Sequence, residues 1–354
     1  MKEAILYKKL EKKRVKCLAC SHYCTIDLNK SGMCGVRRNI NGKLFLLVYG
    51  RPTGLQLDPI EKKPLYHFFP GTEILSLGTT GCNFGCEFCL NWESSQLPRI
   101  IKEKTSSVDE QNKLIDSAIK YQKYISPEDV LETALDKKIK SIAFTYNEPT
   151  IFFEYAYDIA KLAKKAGIKI VSVSNGYESK EYLNFMRRYI DAINIDIKGF
   201  TEKFYIEICK AKLQPVLNNV KNFHKLGKWV EITTVVIPGK NDSKKELENI
   251  AKFIFDIDPE IPWHITAFMP DYKMLNVEPT PQSKIIEARK IGLKIGLKYV
   301  YAYNSLKPDF KLNSTFCPKC GKNLIKRIVF KPEFINIIDG KCKFCGEKIK
   351  GVWS

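Results

Sequence analysis

Between residues 72 and 305, short β-branched runs alternate with stretches of helical period, and this alternation restricts the fold more than any other feature. Strands are predicted at EILSLG (73–78), KSIAFTY (140–146), IKIVSVS (168–174), DAINIDI (191–197), WVEITTVV (229–236) and WHITAF (263–268). YVYAY (299–303) reads as an edge or closing strand. A helix is predicted near 127–137, where Ser126 supplies the cap and Pro127 the first helical position. Another, near 150–165, sets Ile151, Tyr155, Ile159 and Leu162 on one face. Repeated strand–helix units form a parallel sheet, because each helix carries the chain back to the end where its strand began. Six such units predict an α/β fold, a partial (β/α)6-type TIM barrel, with chemistry at the carboxyl ends of its strands. Residues 101–125 read as a polar insertion over one rim.

Eleven of the twelve cysteines fall in clusters at 17, 20, 24 and 34, at 82, 86 and 89, and at 317, 320, 342 and 345. The start MKEAILYKKLEKKRVKC has no apolar h-region, so a cytoplasmic protein is expected. No apolar run reaches the roughly 18 residues of a membrane span, and no membrane partner is expected. Clustered cysteines in a reducing compartment are metal ligands rather than disulfides. They frame three regions: an N-terminal Cys-rich segment (1–71), the barrel (72–305) and a C-terminal zinc-ribbon or rubredoxin-like domain (306–354). CPKCG and CKFCG are two C-x2-C knuckles, each followed by a turn-forming glycine, so Cys317, Cys320, Cys342 and Cys345 are expected to hold structural zinc. Cys17, Cys20, Cys24 and Cys34 complete either one zinc site or one closed iron–sulfur cluster; ligand count favours zinc, with His22 as a rival ligand. Cys209, alone in a helical stretch, reads as a small core hydrophobe.

The middle cluster, in GCNFGCEFCLNW directly after the first predicted strand, stops at three. Three thiolates on one loop can hold three corners of an iron–sulfur cube and leave the fourth iron open to a reactant; the bland alternative is a zinc site completed from elsewhere in the chain. The charge balance, 58 − 39 = +19, favours acidic partners, RNA among them, although a lysine-rich surface alone gives the same balance.

C-x3-C-x2-C with Phe88 before its last cysteine resembles the radical S-adenosylmethionine (radical SAM) enzymes. EKKPLYHFFPG (61–71), TYNEPT (145–150), SNGY (174–177), NIDIKGF (194–200), VIPGKND (236–242) and MPDY (269–272) are similar to the pyruvate formate-lyase activating enzyme branch, and more narrowly to the AmmeMemoRadiSam-system radical SAM proteins. The resemblance implies a [4Fe–4S] cluster on Cys82, Cys86 and Cys89 whose open iron chelates S-adenosylmethionine (SAM). Reductive cleavage then gives methionine and a 5′-deoxyadenosyl radical that abstracts hydrogen. Further contacts to the cofactor are implied for Asn147 and Glu148, for Ser174 and Asn175, and for Asp196 and Lys198. Glu148 would receive the methionyl ammonium, Asp196 the ribose and Lys198 the carboxylate; the bland reading of Glu148 is a helix N-terminal acid, and of Asp196 and Lys198 a surface ion pair. Pro238, in Ile237–Gly239, would form an apolar shelf for adenine. His264, facing inward, is a candidate contact or a satisfied core histidine. The implied partners are a reductant such as ferredoxin or flavodoxin and a protein substrate, as in glycyl-radical activation, for instance a Memo/AMMECR1-type genomic neighbour. RNA or a metabolite is the alternative target. A zinc-scaffold binding protein is the non-enzymatic alternative, and the NEP, SNG and DIK motifs argue against it.

Overall fold

The computed structural model describes residues 1–353, which separate into two compact units. The first comprises Met1–Leu57, Ile74–Asp191 and Ile208–Ala211; the second comprises Asp58–Glu73, Ala192–Glu207 and Lys212–Ser354.

In the first unit, β1 (Glu73–Thr79), β2 (Ser141–Phe144) and β3 (Lys169–Ser174) pair in parallel, each with the next in sequence. β1 and β2 are almost wholly buried, which is why they read as continuous apolar runs rather than alternations. The polar insertion is helical: α1 (Leu97–Lys104) and α2 (Val108–Lys120) precede α3 (Pro127–Asp136). The predicted cap of α3 is a full capping box, with Ser126 accepting from the Asp129 amide and Asp129 accepting from the Ser126 amide. α4 (Phe153–Lys165) follows a 3-10 turn at Pro149–Phe152, and α5 is Lys180–Met186. One strand lies outside the sequence reading: Pro52–Pro59 flanks β1 in the sheet. Prolines at both ends and a mostly exposed middle hide it from a period-2 search, and both suit an edge position.

The N-terminal cysteines lie among two small antiparallel sheets, one of Tyr7–Lys9, Val15–Cys17 and Thr25–Ile26, the other of Lys2–Glu3, Arg37–Ile40 and Lys43–Leu46. The guanidinium of Arg37 forms a bidentate pair with Glu154 on α4, at 2.7 and 2.8 Å, with both side chains buried. Glu154 also accepts the Ile5 amide at 2.8 Å. A fully desolvated charge needs such a fork, since neither ion has water to turn to.

In the second unit, β4 (Ile190–Asp196), β5 (Trp229–Val236), β6 (Trp263–Ala267) and β7 (Val300–Tyr303) are again parallel and sequential, with α6 (Leu213–Lys225), α7 (Lys244–Ile257) and α8 (Gln282–Ile295) between them. Thus 299–303, read as an edge or closing strand, extends the parallel series. The register sets Asp196, Thr233, His264 and Tyr301 side by side. Among the described residues, no helix is long and apolar enough to cross a membrane.

Candidate active site

β1 ends in Thr79, and the cysteine loop follows without regular structure until a short helical turn at Trp92–Ser95. Its entry is crowded. Gly81 has φ +94, and a Cβ there would lie 2.6 Å from the Cys34 carbonyl oxygen, so only glycine fits. Asn147 staples the strand end to the loop: its Oδ1 accepts the Thr79 amide at 3.2 Å and its Nδ2 donates to the Gly81 carbonyl at 2.7 Å.

The thiols carry the donors that a metal-bound thiolate uses. The Phe84 amide donates to Cys82 Sγ at 3.4 Å, and Ser95 Oγ lies 3.1 Å from Cys89 Sγ. Burial pushes the Cys82 thiol well up, and the charges of Glu148, Cys86 and Cys89 add to it. Three mutually repelling sulfurs of this kind ionise when a cation binds them, and the donor set therefore fits a cluster. Cys86 and Phe88 are buried, while Cys82 and Cys89 are half-buried.

Glu148 ends the Asn147-Glu148-Pro149 motif and is wholly buried. Its carboxylate accepts the Asn175 amide at 2.9 Å, the Thr150 amide at 3.1 Å, and lies 3.1 Å from Ser174 Oγ through either oxygen. The Thr150 bond is the helix-terminal role that sequence reasoning weighed; the others draw Glu148 to the end of β3. The Ser174 hydroxyl also lies 2.7 Å from Glu178. Burial, then the Glu178 charge, pushes the Glu148 pKa well above the carboxylate range. A cation placed beside a buried acid raised in this way favours its carboxylate form, so Glu148 fits an ammonium. Asn175 closes the group by donating to Asn83 Oδ1 at 2.7 Å. Cys82, Asn147, Glu148, Ser174 and Asn175 are therefore brought into one hydrogen-bonded neighbourhood.

In the second unit, Lys198 Nζ pairs with Asp196 at 2.9 Å. Asn241 organises the following turn. Its Nδ2 donates to Lys198 and Val235 carbonyls at 2.7 and 2.8 Å, and its Oδ1 accepts the Ile237 amide at 2.6 Å. That bracket fixes Ile237–Gly239, where Pro238 stands. His264 Nε2 is 2.6 Å from Glu231, and both are buried. Glu231 also accepts the Tyr66 and His67 amides and the Trp229 indole at 2.8–3.0 Å. Burial alone would raise the Glu231 pKa, but His264 and the Trp229 indole hold it below the usual range.

Sequence reasoning gave His67 no role, yet it is the hinge of a buried chain. Its Nδ1 donates to the Lys350 carbonyl at 2.8 Å, leaving Nε2 to accept from Tyr301 Oη at 2.6 Å. Tyr301 Oη in turn lies 2.8 Å from Thr315 Oγ1, which accepts from Arg327. Burial lowers the His67 pKa to about 4, so the ring is neutral. The only signal in sequence was the EKKPLYHFFPG motif itself.

Cys317, Cys320, Cys342 and Cys345 have sulfurs all within 4.8 Å of one another, the only such group among the described residues. Cys317 and Cys345 stand 3.7 Å apart, and Cys320 and Cys342 3.8 Å, a tetrahedral ligand set. Gly321 and Gly346 turn at φ +69 and +71, each donating to the carbonyl of its knuckle's first cysteine. His22, the rival ligand at the N-terminus, places Nε2 on the Asn83 carbonyl at 3.0 Å. Cys209 is buried, as expected of a core thiol.

Residues 76–254 match the model of the radical SAM superfamily. The chain is 42% identical over 352 residues, 99% of each protein, to an uncharacterized protein of Methanocaldococcus jannaschii. A putative glycyl-radical enzyme activating enzyme of the same organism is 30% identical over 62% of this chain and 77% of its own. The pyruvate formate-lyase-activating enzyme of Clostridium pasteurianum is 25% identical over 56% of this chain and 78% of its own. Among solved structures, Streptococcus suis SuiB bound to precursor peptide SuiA aligns at TM-score 0.48 and 14% identity, over 69% of this chain and 51% of that one. With a parallel α/β sheet of partial-barrel type and a family that implies a [4Fe–4S] cluster and SAM, the chain belongs to the radical SAM superfamily.

Proposed function

We propose that the protein is a radical SAM enzyme of the glycyl-radical-activating branch, acting on a protein partner, and a member of the AmmeMemoRadiSam-type group. The observation that carries the reading is the hydrogen-bonded path Cys82 loop–Asn83–Asn175–Glu148, which ties a buried acid of raised pKa to the three-cysteine loop. Cys82, Cys86 and Cys89 would hold the cluster; Glu148, Ser174 and Asn175 the methionyl ammonium; Asp196 the ribose and Lys198 the carboxylate. Pro238 would shelve adenine, and His264, paired with Glu231, would stand at the cofactor's rim. When bound and reduced by a ferredoxin or flavodoxin, the pair supplies a 5′-deoxyadenosyl radical. The chain's own residues orient the sulfonium and exclude water. Zinc is assigned to the C-terminal cysteines, and a closed metal site to Cys17, Cys20, Cys24 and Cys34. The relatives named as activating enzymes support a protein substrate.

The test is anaerobic incubation of the reconstituted protein with SAM, a reductant and candidate partner proteins. Formation of 5′-deoxyadenosine with a partner-borne radical signal is expected; none with any partner would remove the reading.

A second reading, RNA as target, rests on one groove of about 740 Å³ where Lys164, Lys165 and Arg188 stand with Tyr49 and Tyr189; Glu128 and Asp158 also line it, and Asp158 pairs with Lys2 and Lys161. Binding to total RNA should then weaken steeply with salt, since phosphate neutralisation releases counterions. Binding indifferent to salt would exclude it.

A further inference from the structure

The N-terminal cysteine segment is sewn to the turn that follows β3. The Ser21 amide donates to the Tyr177 carbonyl at 2.9 Å, and its hydroxyl to the Glu178 carbonyl at 2.8 Å. Ser179 Oγ donates to the Leu18 carbonyl at 2.5 Å, and Cys20 forms a β-bridge with Glu178. The segment between Cys17 and Cys24 thus holds the turn that follows Ser174 and Asn175. Beside it, the ring of His22 lies 4.8 Å from that of Tyr177, which lies 5.2 Å from Phe84. The Asn83 carbonyl can only accept, so His22 Nε2 carries the proton across their 3.0 Å contact.

The residue after Cys82 is therefore gripped twice. His22 holds its backbone, and Asn175 holds its side chain. We propose that His22 is a positioning residue for the cluster-binding loop, through which the N-terminal four-cysteine segment sets the geometry of the Cys82–Asn83–Asn175–Glu148 site. The effect on SAM rests on the function proposed above; the effect on the loop does not. A lone histidine in a four-cysteine segment would ordinarily ligate a metal or face solvent. Here the ring is committed to a main-chain carbonyl next to a cluster ligand, a placement that orients the loop as outer-shell partners orient metal ligands.

The test compares full-length His22→Gln, whose amide nitrogen reaches the same carbonyl, with His22→Asn, whose shorter side chain does not. Amide hydrogen exchange is read at residues 82–88 before cluster reconstitution. His22→Asn should speed it about tenfold, the effect of one lost hydrogen bond, and His22→Gln should stay near wild type. After reconstitution, His22→Asn should bind SAM about tenfold more weakly with unchanged iron content, and His22→Gln should restore affinity. A third variant, His22→Phe, keeps the stacking on Tyr177 and separates it from the hydrogen bond; it should behave as His22→Asn. Equal exchange in wild type, His22→Asn and His22→Phe would overturn the proposal. If wild type itself binds no SAM, the functional reading fails while the exchange comparison still decides the role of His22.

Discussion

Ser174 Oγ stands 3.1 Å from both carboxylate oxygens of Glu148, and the same hydroxyl is 2.7 Å from Glu178. One hydroxyl has one proton to give. The hydroxyl can serve only one of the two buried acids at a time, and the charge of Glu178 adds to burial in raising the pKa of Glu148.

That arrangement predicts pH-dependent ligand binding. The Glu148 pKa is pushed up to about 8, chiefly by burial and then by the Glu178 charge, so near neutrality the acid is protonated. An ammonium needs the carboxylate, so binding must expel the proton. SAM affinity should rise with pH through the neutral range and level off near pH 8. Calorimetry in buffers of differing ionisation enthalpy should show proton release, and Glu148→Gln should abolish both the release and the pH dependence. For the ligand-free protein the sign is opposite: a raised acid pKa gives stability present below the ordinary carboxylate range and lost as pH rises towards 8.

The cysteine sets should be separable by metal analysis. Reconstituted protein should carry about four irons for the open cluster and one or two zincs. Replacing Cys82, Cys86 and Cys89 together with alanine should abolish the SAM-responsive paramagnetic signal and 5′-deoxyadenosine formation. The C-terminal metal should remain, because its four ligands are complete without them. About eight irons would instead identify Cys17, Cys20, Cys24 and Cys34 as an auxiliary cluster.

Glu154→Ala should destabilise the first unit by about 3–5 kcal/mol, the cost of stranding a buried partner charge, here that of Arg37. Double replacement of Arg37 and Glu154 by apolar residues of similar volume should recover much of the loss. Denaturant titrations of the three proteins measure both.

Chelation should loosen more than the ribbon. Tyr66, Tyr299 and Tyr301 share an apolar cluster with Cys317, Leu324, Ile325, Cys342 and Ile349. The ribbon obtains its folding energy largely from metal, so removing it should expose this cluster. Faster amide exchange at 315–349 accompanied by faster exchange around Tyr66 and Tyr301 is the expected result. Loosening confined to the ribbon would show that the cluster holds without it.

Much of this was legible along the chain because it is written locally. Alternating runs gave the strands; Ser126 with Pro127 marked the start of α3; Cys317 to Gly346 spelled out two knuckles. Glu148, Ser174 and Asn175 could be picked as polar strand ends, but not as one group, since β2 and β3 are apart in sequence and joined only by pairing. Arg37 with Glu154, and Glu231 with the amides of Tyr66 and His67, depend on contacts more than 100 residues apart and leave no local pattern. His22 was placed with the cysteines by proximity in sequence, whereas its partner is Asn83, 61 residues away.

The close fit of Gly81 under the Cys34 carbonyl also bears on how such chains can be recombined. The barrel loop and the Cys-rich leader are moulded to each other, so neither is a freely exchangeable cassette. A hybrid joining residues 1–71 to the barrel of a relative with any side chain at the position of Gly81 should misassemble at the seam. Restoring glycine there should rescue it.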